Sequence, residues 1–312
     1  NRYLNFSVGN YHQFISTFQD DFNPSILDNW IAADTSVSPG KSMQVVLGYE
    51  EYIKNMYKIQ VEGYYKDLKN LLTYEEKRST SDAPVSDESL ANIVTPADGY
   101  AYGFELFGQK MSGKLSGWVA YTYSVSRKIM NSIYADGEQE YYTNWDRTHA
   151  FSVLGNYQFN TKWETNWRFA LQSGQAYTPI MGYYVQKFPE SPEELFRTIP
   201  GTRNSGRYEP YSRLDIGAVY HAKIGKTNVD FFFQIINTLN RSNTFTKIYS
   251  LGSPYNGLDD DGDWDKDLHD TNGNGRADPG ETNVDESDEG KIHERSIGLF
   301  PILPTFGFTW EF

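Results

Sequence analysis

The end of the sequence is a run in which large rings alternate with small or polar residues. Leu299–Phe312 reads LFPILPTFGFTWEF, with rings at Phe306, Phe308, Trp310 and Phe312. In a β-strand, residues two apart point to the same side, so these four rings would share one face. A soluble protein seldom exposes such a row, whereas in an outer-membrane barrel that face contacts lipid and its rings lie at the membrane interface. The segment therefore favours a membrane barrel.

Nine further segments show the same alternation of apolar and polar residues, which is typical of strands with two different faces. Their polar positions include Lys, Glu, Arg and Asp in mid-strand, which suits a wet barrel interior. With the terminal run, they predict about ten strands. The nine segments are 4–8, 42–49, 57–66, 102–107, 115–126, 151–159, 163–172, 213–221 and 229–235.

The connections between these segments alternate strictly between short and long. Tight turns are expected near Lys54-Asn55, Ser112-Gly113, Asn160-Thr161 and Gly225-Lys226, and long segments cover 10–40, 75–98, 129–146, 173–210 and 240–297. Antiparallel outer-membrane barrels have this arrangement, with short periplasmic turns and long extracellular loops. A soluble β-sandwich is the alternative, but it has no reason to place every long loop at one end.

Composition excludes several other classes. Mean hydropathy is −0.62, and no uninterrupted apolar run approaches the roughly 18 residues of a membrane helix. The absence of cysteine excludes a disulfide-stapled mini-domain. Of the net charge of −13, most comes from residues 259–289, which hold 13 acidic and two basic residues. Because the acidity is confined to one segment and the rest is nearly neutral, we expect no nucleic acid partner.

Six sets of residues occur in an order that resembles the C-terminal part of a TonB-dependent outer-membrane receptor, of the kind common in Bacteroidetes. Together they cover nearly the whole chain. They are the hairpin 49–72, the YGFEL run at 102–106, DRTHAF at 146–151, SGQAYTP at 173–179, the pair RLDI at 213–216 and INTLNR at 236–241, and the terminal strand 306–312.

The resemblance implies a 22-stranded barrel filled by an N-terminal plug domain. Neither a plug nor a TonB-contacting segment is found here, so residues 1–312 are expected to be the C-terminal part of one barrel, with two open sheet edges. An acidic loop, 252–295, would be inserted in it. The implied location is the outer membrane of a Gram-negative bacterium. The terminal Phe308, Trp310 and Phe312 would be the assembly signal for the barrel-assembly machinery.

The implied function is import of a scarce solute, namely a siderophore, haem, a glycan or a peptide, with energy relayed through TonB. The implied partners are the TonB complex (through the plug), outer-membrane lipid and the extracellular solute. Two rival interpretations stay open. One is a calcium-dependent adhesion or binding barrel, and the other is a complete ten-stranded outer-membrane enzyme.

The acidic segment contains a pattern that predicts a calcium site. A twelve-residue EF-hand-like loop runs from 270 to 281, with oxygen side chains at its first, third, fifth, ninth and twelfth positions and Gly275 at the sixth, where the chain turns sharply. Its ligands would be Asp270, Asn272, Asn274, Asp278 and Glu281, with the backbone carbonyl of Arg276. An upstream run of Asp259, Asp261, Asp263 and Asp265 could hold a second Ca²⁺, although it lacks the matching Gly. A disordered acidic loop is the alternative.

No catalytic signature accompanies these features. The sequence has no GxGxxG, P-loop, GxSxG or HExxH motif, and its five histidines are scattered. We therefore predict no catalytic residue and no enzymatic activity. Trp118, Arg168, Asp215 and His221 are predicted to face the lumen, where they line either a solute path or the surface that contacts a plug.

Overall fold

A computed structural model describes residues 1–18, 29–74, 94–131, 137–187, 194–251, 265–276 and 292–311. These residues form strands, turns and loops. None of them belongs to a helix long and apolar enough to cross a membrane. The strands are β1 (Arg2–Gln13), β2 (Ile15–Phe18), β3 (Asn29–Ala32), β4 (Gly40–Ile53), β5 (Tyr57–Tyr74), β6 (Val94–Lys110), β7 (Leu115–Asn131), β8 (Glu138–Tyr142), β9 (His149–Gln158), β10 (Trp163–Gln172), β11 (Ala176–Tyr177), β12 (Ile180–Lys187), β13 (Glu194–Pro200), β14 (Gly206–Arg207), β15 (Tyr211–Ile224), β16 (Thr227–Ile236), β17 (Thr244–Leu251), β18 (Ile292–Gly298) and β19 (Leu303–Glu311).

One antiparallel sheet contains all ten strands that the sequence predicts. Its order is β1-β4-β5-β6-β7-β9-β10-β15-β16-β19, and β8 pairs with the end of β7. Several strands are longer than predicted, and β5 has 18 residues, more than the roughly 9–11 that cross a bilayer. The fold class is therefore confirmed as an all-β antiparallel sheet built from neighbouring hairpins.

The two terminal strands of this order form its edges. β1 pairs with β4 along its whole length, and β19 pairs with β16. Within the described residues, which include both edge strands, no ladder joins β1 to β19. The sheet is thus open, as the sequence predicts for part of a larger barrel and not for a closed ten-stranded one.

The predicted alternation of short and long connections is also present. Short turns join β4 to β5, β6 to β7, β9 to β10 and β15 to β16, and all of them lie at one end of the sheet. Lys54 and Asn55 both have positive φ, 50° and 51°, and Gly225 has φ 65°. A left-handed backbone of this kind matches the twist of a two-residue hairpin. The opposite end, where the long connections leave, is called the loop end below.

The large sheet has two faces, and residues that pair across neighbouring strands lie on the same face. Leu4 is 75% exposed and Leu47 is 54% exposed although both are apolar. We call the side that carries such residues the apolar face and the other side the polar face. One continuous row of the apolar face runs Leu4–Tyr49–Val61–Leu106–Tyr121–Phe151–Leu171. The next row, on the polar face, runs Asn5–Gly48–Glu62–Glu105–Thr122–Ala150–Gln172.

The remaining strands continue the same division. Phe231 lies opposite Phe308 and Phe233 opposite Phe306, and these four rings are 45%, 64%, 49% and 89% exposed in that order. The register places Val119, Tyr121, Phe231 and Phe308 on the apolar face, and Thr122, Gln234 and Thr309 on the polar face. The terminal aromatic strand is therefore an integral part of the apolar face.

Buried residues are few and lie mainly near the loop end. A small cluster contains Ala97, Met130 and Tyr141, with Leu71 packed against it. Asn70 has φ 57°, and the ladder between β5 and β6 shifts register between Leu68 and Leu71. The β-bulge turns the last residues of β5 relative to the rest of the strand, which aims Leu71 and Thr73 at this cluster.

In the described parts of the long segments there are nine short strands that the alternation did not reveal. Several pair only with each other, as β2–β3, β11–β14, β12–β13 and β17–β18. The chain divides into two compact units, one of Asn1–Pro179, Pro200–Thr244 and Gly298–Phe312, and the other of Ile180–Ile199 and Phe245–Ile297. The first unit holds the large sheet. The second holds the hairpins β12–β13 and β17–β18.

Candidate functional site

The four predicted lumen residues all belong to the polar face of the large sheet. Trp118 pairs with Leu154, Leu154 with Arg168, and Arg168 with Asp215, so three of them share one row across neighbouring strands. His221 is six residues beyond Asp215 on β15 and therefore points to the same side at the short-turn end. The structure places the four on one surface but does not gather them into one pocket.

Asp215 anchors a loop. Its side chain accepts hydrogen bonds from Arg213 Nε at 2.7 Å and from the backbone N–H of Asn237 at 2.9 Å. Asn237 has φ 53° and donates its side-chain amide to the carbonyls of Arg241 and Phe300. Because Asp215 is only 4% exposed, its carboxylate holds the start of the last long connection and is not open to a solute.

His221 lies between two carboxylates. Its Nδ1 is 2.8 Å from Asp230 Oδ1, and its Nε2 is 4.0 Å from Glu164 Oε2. The surrounding hollow, about 390 Å³, is also lined by Asn166, Gln234 and Thr309, among others. The recess combines these polar side chains, which can exchange hydrogen bonds with water or a ligand, with apolar ones such as Phe232.

Sequence reasoning missed a buried polar cluster at the loop end of the polar face. Arg203 is 7% exposed, and its Nη1 donates to Thr73 Oγ1 at 3.0 Å and to Tyr141 OH at 3.2 Å, and contacts Met130 Sδ at 3.1 Å. Its neighbour Asn204 donates to the Tyr142 carbonyl at 2.7 Å. Residues 203 and 204 of the connection between β10 and β15 thus lie against the polar face of β5, β7 and β8.

A partly buried ion pair fixes residue 207 of the same connection. Arg207 Nη2 donates to Asp146 Oδ1 at 2.6 Å, and Arg207 Nη1 donates to the Asp146 carbonyl at 2.8 Å. Asp146 Oδ2 accepts the N–H of Ser126 at 2.8 Å. The Asp146 side chain is 1% exposed, whereas that of Arg207 is 30% exposed. The DRTH motif at 146–149 therefore begins with a residue that ties two long connections to β7.

The described part of the predicted calcium loop is a compact turn. Asp270 accepts three backbone N–H groups, from Gly273 at 2.6 Å, Asn274 at 3.2 Å and Gly275 at 2.7 Å. Gly273 and Gly275 both have φ 74°, which glycine adopts without strain. These hydrogen bonds, the one from Gly275 foremost, hold the pKa of Asp270 below its ordinary value. The first half of the loop thus has an ionised carboxylate inside a glycine turn.

The rest of the predicted metal ligands are only partly described. Asn272 and Asn274 accept backbone N–H groups of the same turn, and Asp265 accepts the N–H of Asp267. Among the described residues, no three His, Asp or Glu side chains form a group that could hold a metal ion. The predicted ligands Asp259, Asp261, Asp263, Asp278 and Glu281, and the terminal Phe312, lie outside the described residues.

Comparison with known proteins gives structural similarities only. No protein-family model matches this sequence, and no curated protein matches it either. Among solved structures, the chain is similar to the ferripyoverdine receptor of the outer membrane of Pseudomonas aeruginosa, with a TM-score of 0.43 and 13% identity over 67% of this chain. It is also similar to the FrpB iron transporter from Neisseria meningitidis, with a TM-score of 0.42 and 15% identity over 68% of this chain.

A third similarity concerns the Pseudomonas putida toluene transporter TodX, with a TM-score of 0.26, 11% identity and 76% of this chain covered. The alignments span 25% of the ferripyoverdine receptor, 28% of FrpB and 64% of TodX. The aligned part of this chain therefore spans about a quarter of the length of the first two proteins.

Proposed function

We propose that this chain forms part of the wall of an outer-membrane β-barrel that imports a scarce solute, in the manner of a TonB-dependent receptor. The observation that carries the proposal is the continuous apolar row from Leu4 to Leu171, exposed on one face of a sheet whose other face is polar. Water on both sides would make this exposure costly, at about 25 cal/mol per Å². Lipid on the apolar face removes that cost and leaves the polar face for a wet lumen.

The polar face also suits a solute path more than a reaction centre. Its acidic and basic side chains are spread along neighbouring strands, such as Glu62 and Glu105 in one row and Arg168 in another. TonB as the energy source and contact with a plug domain are inferred from the sequence motifs that resemble a TonB-dependent receptor, from DRTHAF at 146–151 to the terminal strand. TonB, a plug domain and the barrel-assembly machinery are accordingly the proposed partners.

Uptake by cells that produce the complete receptor tests this function. We expect one of four labelled solutes, a ferric siderophore, haem, an oligosaccharide or a peptide, to accumulate only in producing cells, and accumulation to stop when TonB is deleted. Membrane fractionation of the same cells should place the protein in the outer membrane. Recovery in a soluble fraction, or uptake of the same solute at an equal rate without TonB, would contradict the proposal.

We also propose that the loop 270–281 binds a calcium ion that orders the acidic insertion. Carboxylate and amide oxygens are the ligands that calcium prefers, and the turn at Gly275 is the reversal such a loop requires. Asp270, Asn272 and Asn274 supply the first three oxygen side chains, and Asp278 and Glu281 would complete the set. Bound calcium would offset part of the repulsion among the 13 acidic residues of 259–289.

Replacing Asp270 with Ala should abolish calcium binding by this loop. Titration calorimetry on the whole protein is expected to show binding in the millimolar range or tighter for the wild type. Asp34→Ala is a matched control, because Asp34 also accepts two backbone N–H groups, from Ser36 and Val37, but belongs to no ligand pattern. Equal heats of calcium binding for the wild type and Asp270→Ala would contradict the calcium site. The disordered acidic loop would then be the remaining interpretation.

A further inference from the structure

Two asparagines of the turn 270–276 are each followed directly by glycine, as Asn272-Gly273 and Asn274-Gly275. Asparagine before glycine is the pair most prone to spontaneous deamidation, because glycine has no side chain to hinder its backbone nitrogen when that nitrogen attacks the preceding amide. Glycine also gives the backbone the freedom that ring closure needs. Both asparagines are exposed, so water reaches them. The turn therefore contains two pairs with the same chemical reactivity.

Deamidation of such a pair passes through a succinimide ring. The backbone nitrogen of Gly275 would form a bond to Cγ of Asn274, and its proton would pass through water to the amide nitrogen, which leaves as ammonia. One water molecule then opens the ring at either of its two C–N bonds. Opening at Cγ gives aspartate, and opening at the backbone carbonyl gives isoaspartate, whose main chain runs through the former side chain. Overall, one water is consumed and one ammonia is released.

The amide that would be attacked lies beside the backbone in both pairs. Asn272 Oδ1 accepts the N–H of Asn274 at 3.0 Å, and Asn274 Oδ1 accepts the N–H of Arg276 at 2.8 Å. A donor at this oxygen stabilises the negative charge that develops on it when Cγ is attacked. The electrophile of each pair is therefore activated by the fold of the turn.

The nitrogen that would attack points elsewhere in both pairs. Gly273 N donates to Asp270 Oδ1 at 2.6 Å, and Gly275 N donates to Asp270 Oδ2 at 2.7 Å. In a succinimide, Cγ takes the place that the N–H hydrogen has in the amide, so the N–H must point at Cγ before the ring can close. Here both N–H groups point at one carboxylate. Each hydrogen bond to Asp270 must therefore break before its ring can form.

We propose that Asn272 and Asn274 are sites of spontaneous deamidation, and that the carboxylate of Asp270 suppresses the reaction at both while the turn is closed. The proposal goes beyond solute import and beyond a ligand role for Asp270, because it assigns a covalent modification to the loop. Isoaspartate at either position would lengthen the main chain and displace the oxygen side chains that follow it. A loop whose turn has opened would thus carry a lasting chemical change.

Peptide mapping by mass spectrometry on the whole detergent-solubilised protein tests this proposal. The protein is kept at mildly alkaline pH with a chelator, and aspartate and isoaspartate at positions 272 and 274 are followed over time. Asp270→Ala should raise both rates about tenfold or more, because a hydrogen bond to a charged group typically holds its partner by a factor of that order. Asp34→Ala is the matched control, since it also removes an acceptor of two backbone N–H groups, and both rates should stay unchanged.

Two further samples show whether the effect comes from the turn. Wild-type protein unfolded in urea should react as fast as folded Asp270→Ala. Asp270→Asn keeps one acceptor oxygen, so its summed rate should lie between those of the wild type and Asp270→Ala. Circular dichroism of each variant shows that the β-sheet is intact, which separates opening of the turn from loss of the whole fold.

Three results would overturn the proposal. Equal rates in the folded wild type and Asp270→Ala, or a folded wild type that reacts as fast as the unfolded chain, would show that Asp270 does not protect these pairs. No reaction at either position even in urea would show that neither is a deamidation site. Because a chelator is present throughout, failure of the calcium or transport proposals would leave the expected rates unchanged.

Discussion

Replacing Arg207 with Ala is expected to lower the free energy of unfolding by about 3 kcal/mol. Removal of one partner from a buried ion pair typically costs about 3–5 kcal/mol, since the other charge stays buried. Here the Asp146 side chain is 1% exposed and would lose its guanidinium partner. The lower end of the range applies because Arg207 is 30% exposed and because Asp146 keeps the N–H of Ser126.

The loss should be concentrated in the connection between β10 and β15. Urea unfolding in phospholipid vesicles measures the overall change, and hydrogen exchange should be faster at residues 201–208 and at the turn 143–148. Arg2→Ala is the control, because the Arg2–Glu51 pair has an arginine that is 75% exposed and such surface pairs contribute about 0–1 kcal/mol. Equal losses in the two variants would mean that the Asp146–Arg207 pair does not fix this connection.

Replacing Val119 with Arg should lower the free energy of unfolding in a membrane by about 2–4 kcal/mol if residue 119 lies near the bilayer midplane. Val119 is 42% exposed on the apolar face, so its replacement would place a charge in hydrocarbon. Thr122→Arg is the matched control on the polar face, where residue 122 lies opposite Glu105. Its effect should stay below about 1 kcal/mol, since an opposite charge faces it.

These two variants separate a lipid-facing sheet from a soluble one. In a soluble sheet the arginine introduced by either variant would contact water. Val119→Arg would then change the free energy of unfolding little. In a membrane the two substitutions differ because only one places its charge in lipid. Loss of stability in vesicles that disappears in a water-soluble preparation would identify lipid as the cause.

The sequence predicted the large sheet well because its signal is local. Alternation with a period of two is visible in any run of six residues, such as Val119 to Ser124, and the turn residues at Lys54-Asn55 and Gly225-Lys226 mark the short hairpins. The order of the ten strands then follows, since consecutive strands joined by short turns pair as neighbours. The lengths of several of these strands were underestimated, because polar residues at the loop end weaken the alternation.

The contacts at the loop end could not be predicted because they join distant parts of the chain. Arg203 donates a hydrogen bond to Thr73, which is 130 positions away in the sequence. No sequence pattern near either residue indicates this contact. Asp215 was predicted to face the lumen, but no sequence pattern indicates its hydrogen bond from the backbone N–H of Asn237, which has a left-handed backbone.

The most direct test of the central claim is a spin-label scan of β7 from Trp118 to Val125 in native outer membranes. Collision with oxygen reports contact with lipid, and collision with a water-soluble nickel complex reports contact with water. The account predicts oxygen maxima at Val119, Tyr121 and Tyr123, and nickel maxima at Thr122 and Ser124, with a period of two residues. Equal access of both reagents along the strand, or the opposite phase, would contradict an apolar face in lipid and a polar face in a wet lumen.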